Sequence, residues 1–217
     1  MSDFAARRLM MVDTQVRPSD VTKFPIIDAM LSVPREEFVP ASLREAAYVG
    51  ENIALGANRV MLEPRTLAKM LDALSIEPDH VVLDLGCGLG YSTAILAKMA
   101  EFVVAVEDDA DNATQAQNIL SESGVDNAAV MQGALRDGAA KSAPYDIVMI
   151  QGAVEVVPDA ILAQLRDGGR IACIFAEGAL GVVRIGRKID GAVNWRYAFN
   201  AGAPVLSGFQ KEAAFSL

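Results

Sequence analysis

Val81-Val82-Leu83-Asp84-Leu85-Gly86-Cys87-Gly88-Leu89-Gly90-Tyr91 is the stretch whose reading decides the fold. An apolar run ends in three alternate glycines and passes into Ser92-Thr93-Ala94-Ile95-Leu96-Ala97, the pattern of a buried strand, a tight turn and a helix. A dinucleotide fingerprint, G-x-G-x-x-G, needs its third glycine where Tyr91 stands. Asp84, at the approach to the turn, would repel a pyrophosphate but suits a ligand carrying an ammonium and a sulfonium, as S-adenosylmethionine does. Working outward, Phe102-Val103-Val104-Ala105-Val106 reads as a second strand closed by Glu107. Glu107 follows Gly86 by 21 residues, near the roughly 20 expected when one crossover helix joins two parallel strands. That acid is placed for ribose hydroxyls, with Asp108 beside it for the adenosine. The expected cofactor cradle is therefore Asp84, Gly86, Cys87, Gly88, Gly90, Tyr91, Glu107 and Asp108. Ala134 and Leu135 are added near the adenine, and Gln151 at the carboxyl edge of a later strand.

With 217 residues, 52% of them apolar and 22% charged, the chain has the balance of one globular domain able to bury a substantial core. Three parts are expected within it: N-terminal helices and a substrate loop (1–75), an α/β cofactor core (76–176) and C-terminal antiparallel strands (177–217). No apolar run approaches the roughly 18 residues of a membrane span, and the first residues lack a signal-peptide pattern. A cytoplasmic location is expected. Cys87 and Cys173 read as reduced, packed thiols. A single histidine, His80, leaves no zinc cluster and no triad. The net charge of −9 disfavours nucleic acid as a partner.

In chain order, residues 3–16 carry apolar positions at helical spacing up to Arg17-Pro18, and 20–31 and 43–48 read as further helical pieces. Phe24, Ile26, Ile27, Met30, Leu31, Phe38 and Val39 are expected to cover one end of the core. Residues 52–63 read as a loop leading to a helix begun by Pro64, with Leu67, Met70, Leu71 and Leu74 at i, i+3, i+4, i+7 facing the sheet. A helix is expected over 109–123, closed by Gly124, then strands at 128–132, 146–150 and 170–175, with a helix over 158–165 between the last two. Asp190-Gly191 predicts a hairpin of 182–188 with 193–199, carrying Trp195, Tyr197 and Phe199 on one face. A final strand is expected at 212–217. The alternation implies a mostly parallel, Rossmann-like sheet with helices on both faces and an antiparallel C-terminal hairpin. That is the architecture of class I S-adenosylmethionine-dependent methyltransferases.

Several segments together resemble the protein-L-isoaspartate O-methyltransferase family. They are Val33-Pro34-Arg35-Glu36-Glu37-Phe38-Val39-Pro40, Ala47-Tyr48, Leu55-Gly56, the glycine turn, Pro144-Tyr145-Asp146, and Val157-Pro158 through Gln164-Leu165 to Gly168-Gly169-Arg170. The resemblance implies transfer of a methyl group from S-adenosylmethionine to a protein or peptide carboxylate, with S-adenosylhomocysteine as product and protein repair as the role. It also marks the loop after Gly56 as the substrate loop. There the family's G-x-G-Q-T-I-S-x-P is answered by Asn58 for the second glycine, Arg59 for Gln, Val60 for Thr and Leu62 for Ser. The Gly-Asp-Gly near the adenine becomes Gly133-Ala134-Leu135. Arg59 is either a bidentate clamp for an acceptor carboxylate or a loop residue that is solvated or paired with Glu63. Three functions stay open: isoaspartyl methylation, methylation of another small-molecule or peptide acceptor, and cofactor binding without catalysis.

Overall fold

The computed structural model describes residues 3–56, 58–178 and 180–211. Helix α1 (Phe4–Met11) is capped by Asp3, whose carboxylate accepts from Ala6 N–H at 3.0 Å. The chain continues through a π-helical turn to the 3₁₀ turn Arg17–Ser19, which ends at Asp20 in the left-handed region. Helix α2 (Phe24–Ser32) therefore starts four residues later than the sequence suggests. Phe24, at its first position, is 77% exposed rather than packed, because the buried stripe runs through Ile26, Ile27 and Met30 on the opposite side. Arg8 ties α1 to this region, donating to the Tyr48 hydroxyl, the Leu31 carbonyl and Glu36.

The expected loop at 52–63 is an antiparallel hairpin of β1 (Ile53–Gly56) and β2 (Arg59–Met61), forming a two-stranded sheet of its own. Apolar residues alternate across it, with Ile53 and Met61 paired and buried. Helix α3 (Pro64–Leu74) follows with Leu67, Met70, Leu71 and Leu74 all buried. The core then alternates β3 (Val81–Leu85), α4 (Tyr91–Ala97), β4 (Phe102–Glu107), α5 (Ala110–Glu122), β5 (Ala128–Gln132), β6 (Tyr145–Val154), α6 (Asp159–Gln164) and β7 (Leu165–Glu177). The hairpin strands β8 (Leu180–Ile189) and β9 (Ala192–Asn200) close the described order. Gly124 follows α5 at φ +72°.

Seven strands make one sheet in the order β5-β4-β3-β6-β7-β8-β9. The first five are parallel and the last two antiparallel. The chain steps outward from β3 to β5 and then returns to β6, so the strand order reverses between β3 and β6. A crevice opens beyond the carboxyl ends of such strands, and there Gly86 faces Gln151, since Leu85 pairs with Ile150. Side chains alternate between two apolar clusters. Val82, Met149, Ala172 and Ile174 join the N-terminal helices, α3 and α4, while Leu83, Leu85, Val148, Ile150 and Cys173 join α6 and the C-terminal residues.

Asp190 and Gly191, both at positive φ, make the tight β8–β9 turn. The register shifts between Val183 and Arg184, so that Phe199 pairs with Val183 but Tyr197 with Arg184. This bulge turns Phe199 to the opposite face from Trp195. Phe199 is buried in the cluster with α3, Trp195 packs edge-on against Phe175 at 5.0 Å, and Tyr197 is 63% exposed. The three aromatics thus do not share one face. Past β9 the chain runs back beneath the crevice: Ala153 N–H donates to the Pro204 carbonyl, and Leu206 N–H to the Ala153 carbonyl, each at 2.9 Å. Leu206 packs against Gly86 and Gly152, and Phe209 is wholly buried. The strand expected at 212–217 lies outside the described residues. No helix among the described residues is long and apolar enough to cross a membrane.

Phe38 joins the N-terminal region to the core, being fully buried with its ring 5.8 Å from that of Tyr91. Phe38→Ala is expected to lower the unfolding free energy by about 3–5 kcal/mol in urea denaturation.

Candidate functional site

Gly86 (φ +76°) and Gly88 (φ +57°) bend the backbone off β3 through a region that side chains disfavour. Gly86 N–H donates to the Val106 carbonyl at 2.8 Å, and Gly133 N–H to the Glu107 carbonyl at 3.0 Å, so three chain segments meet at the ends of β3 and β4. Ala134 is exposed there, while the Leu135 side chain is packed in the core.

Asp84, expected to face an ammonium group, lies fully buried beneath the turn. It accepts from Ser92 Oγ at 2.6 Å, Thr93 Oγ1 at 2.7 Å and Gln151 Nε2 at 2.7 Å. Burial raises its carboxyl above the ordinary range, and the three donors oppose that rise. The sequence marks Ser92 and Thr93 only as two adjacent hydroxyl residues in the first turn of the helix that follows the glycines. Gln151 is held by Asp84 across the crevice, which fixes the end of β6 against the turn.

Glu107 is fully buried at the end of β4. Gly88 N–H donates to its Oε2 at 2.8 Å, and Asp108 and Asp109 N–H groups donate to Oε1 at 3.1 and 3.3 Å. Arg59, only 4% exposed, reaches it from the tip of the β1–β2 hairpin, its Nε lying 3.0 Å from Oε1 and 3.3 Å from Oε2. Its Nη2 also donates to Asp108 Oδ1. Burial pushes the Glu107 carboxyl upward, opposed chiefly by the Arg59 charge. The carboxylates that Arg59 clamps are thus the chain's own, 48 and 49 residues away in sequence, and not Glu63.

Asn58 stands exposed at the hairpin tip with φ +55°, a conformation asparagine tolerates better than most residues, so it can replace a turn glycine. Leu55 lies directly on the turn, its Cδ1 2.5 Å from where a Cβ on Gly88 would sit. Leu62 is 2% exposed, and its carbonyl accepts from Arg35 Nη2 at 2.8 Å. Arg35 is wholly buried, donates also to the Ala47 carbonyl at 2.7 Å, and sits 4.8 Å from the Tyr91 ring centroid. The sequence marks Arg35 only by its place in a segment between two prolines, Pro34 and Pro40.

Between the hairpin and the turn remains a cavity of about 10 Å³, lined in part by Val60, Leu62, Cys87, Tyr91, Ser92 and Gln151. That is room for about one water. Burial holds the Cys87 thiol well above its usual range, with Asp84 and Glu107 adding to the effect, and raises the Tyr91 hydroxyl as well. A cleft of about 500 Å³ opens alongside, bordered by Arg59, Asp108, Asp109 and Asn112. The donor chemistry fits the cofactor expected from the sequence: bare turn glycines followed by a strand-end acid. Over the turn itself the space is narrow because Leu55 lies on Gly88, while the wider cleft beside it opens between Arg59 and Asp108.

The model of the family Protein-L-isoaspartate(D-aspartate) O-methyltransferase matches residues 8–200 of the chain. A protein-L-isoaspartate O-methyltransferase of Koribacter versatilis is 33% identical over 191 residues, covering 88% of this chain and 86% of that protein. One from Synechococcus is 36% identical over 174 residues, covering 80% and 71%. Among solved structures, one from Plasmodium falciparum, named for the same activity and holding S-adenosyl-L-homocysteine, superposes with a TM-score of 0.80 at 16% identity over 95% of this chain and 99% of that one.

Proposed function

The chain belongs to the protein-L-isoaspartate(D-aspartate) O-methyltransferase family, and from that premise we propose that its acceptor is the free carboxylate of an isoaspartyl residue in a protein or peptide. It is an S-adenosylmethionine-dependent carboxyl O-methyltransferase. The cofactor supplies an electrophilic methyl group; the chain supplies placement. We assign the glycine turn and Glu107 to holding the cofactor, Glu107 through the ribose hydroxyls, and Val60 and Leu62 to shaping the acceptor pocket.

The observation that carries the acceptor class is the chemistry lining the cavity. Cys87 and Tyr91 are held protonated by burial, and Ser92 and Gln151 are engaged with Asp84. None of these groups is tuned to take a proton near neutrality, as alcohol or amine methylation would ask. A carboxylate with a pKa near 4 arrives ionised, so orientation alone is required of the protein. The buried, unpaired thiols of Cys87 and Cys173 agree with placing the reaction in the reducing cytoplasm.

The test is methyl transfer from labelled S-adenosylmethionine to an isoaspartyl peptide beside its aspartyl twin. Base-labile label is expected on the isoaspartyl peptide alone. The buried Leu62, standing where the family carries a serine, makes another acceptor the second reading. No label on either peptide, from protein that binds S-adenosylhomocysteine by calorimetry, would favour that reading and overturn the first.

A further inference from the structure

We propose that Arg59 and the cofactor's ribose compete for Glu107, so that the β1–β2 hairpin is a latch which the cofactor opens before the acceptor enters. The identity of the acceptor rests on the function proposed above; the latch does not.

Both carboxylate oxygens of Glu107 are already saturated. Oε2 receives Gly88 N–H and Arg59 Nε, and Oε1 receives Arg59 Nε and the N–H groups of Asp108 and Asp109. A carboxylate offers about four lone-pair sites, and three backbone N–H groups with the single, shared Arg59 Nε–H fill them, so a ribose hydroxyl finds no place until Arg59 withdraws. The same movement carries Leu55 off Gly88, where a ligand needs bare backbone.

The hairpin is built to swing in this way. Its base is pinned: Asn52 Oδ1 accepts from Glu63 N–H at 2.8 Å, Asn52 Nδ2 donates to the Gly202 carbonyl at 2.7 Å, and Arg35 holds the Leu62 carbonyl. Among the described residues its strands pair by backbone only with each other and not with a strand of the main sheet, and such a two-stranded ribbon is marginal alone. What fastens its tip is Leu55 on the turn and the Arg59 ion pair. Once displaced, the guanidinium has given up Glu107, its fully buried partner, and can pair with the carboxylate that the acceptor brings to the same cleft as well as with Asp108. Cofactor first and acceptor second is the resulting order.

Arg59→Gln keeps a hydrogen-bond donor and removes the charge. In this variant, S-adenosylhomocysteine binding by calorimetry is expected to tighten about tenfold, and hydrogen exchange at amides 54–56 and 58–60 of the ligand-free protein is expected to quicken. Leu55→Ala, which clears the turn without unpairing a charge, should tighten binding in the same direction and serves if Arg59→Gln does not fold. The wild-type chain is expected to bind an isoaspartyl peptide only when S-adenosylhomocysteine saturates it. Unchanged or weaker S-adenosylhomocysteine binding in folded variants would overturn the latch. Tighter binding without any response to the peptide would instead fault the acceptor assignment and leave the latch standing.

Discussion

Glu107→Gln is expected to lower the unfolding free energy by about 3 kcal/mol and to weaken S-adenosylhomocysteine binding about a hundredfold. The first figure follows from burial. Glu107 is fully enclosed and Arg59 is 4% exposed, and removing one member of such a pair strands the other charge in a poor solvent, typically at about 3–5 kcal/mol. Asp108 remains beside Arg59, which puts the value at the lower end. The second figure follows from hydrogen bonds to a charged acceptor, worth about 1.5–3 kcal/mol each, of which a neutral amide keeps only a part. Urea denaturation and calorimetry measure the two effects separately. The opposite signs expected for ligand binding in Glu107→Gln and Arg59→Gln are informative, because a purely structural ion pair would move both variants in the same direction.

Asp84→Ala is expected to cost about 3–6 kcal/mol, measured by urea denaturation. It deprives Ser92, Thr93 and Gln151 of their shared acceptor inside the core, each orphaned group costing about 1–3 kcal/mol. Some of that returns if the two hydroxyls rotate to nearby carbonyls. Asp84→Asn tests the charge instead of the contacts. Burial raises the Asp84 carboxyl on folding, so the folded chain binds that proton more firmly than the unfolded one. This contribution is complete in acid, below the ordinary aspartate value, and is lost as pH rises through the raised value. The stability of wild type relative to Asp84→Asn should therefore decline with pH across that window and flatten above it. Urea midpoints of the two proteins at a series of pH values give the curve, and an opposite slope would mean that the three donors outweigh burial.

Much of this was legible in the sequence because it is local. Three alternate glycines after an apolar run, four leucines and methionines at helical spacing after Pro64, and the Asp190-Gly191 pair each specify their own conformation within a few residues. Glu107 is legible from its spacing from Gly86, since one crossover helix has a nearly fixed length. What escaped depends on distant partners. Arg59 gives no sign in its own neighbourhood that it will reach Glu107, and the β1–β2 ribbon is too short and too interrupted by Gly56 and Asn58 to announce strands. Phe199 leaves the face that strict alternation gives it because one bulge inverts a pattern that is otherwise reliable. Phe24 reads as core by composition, yet its place at the start of α2 turns it outward.

The residues beneath the crevice bear on how the chain matures. Leu206 seals the underside of the Gly86 turn and Phe209 is enclosed with the α6 cluster, yet both leave the ribosome long after the turn they support. While it is still being made, the protein holds a glycine turn with no floor. Competence to take up the cofactor is therefore expected only once residues 204–209 have docked beside β6.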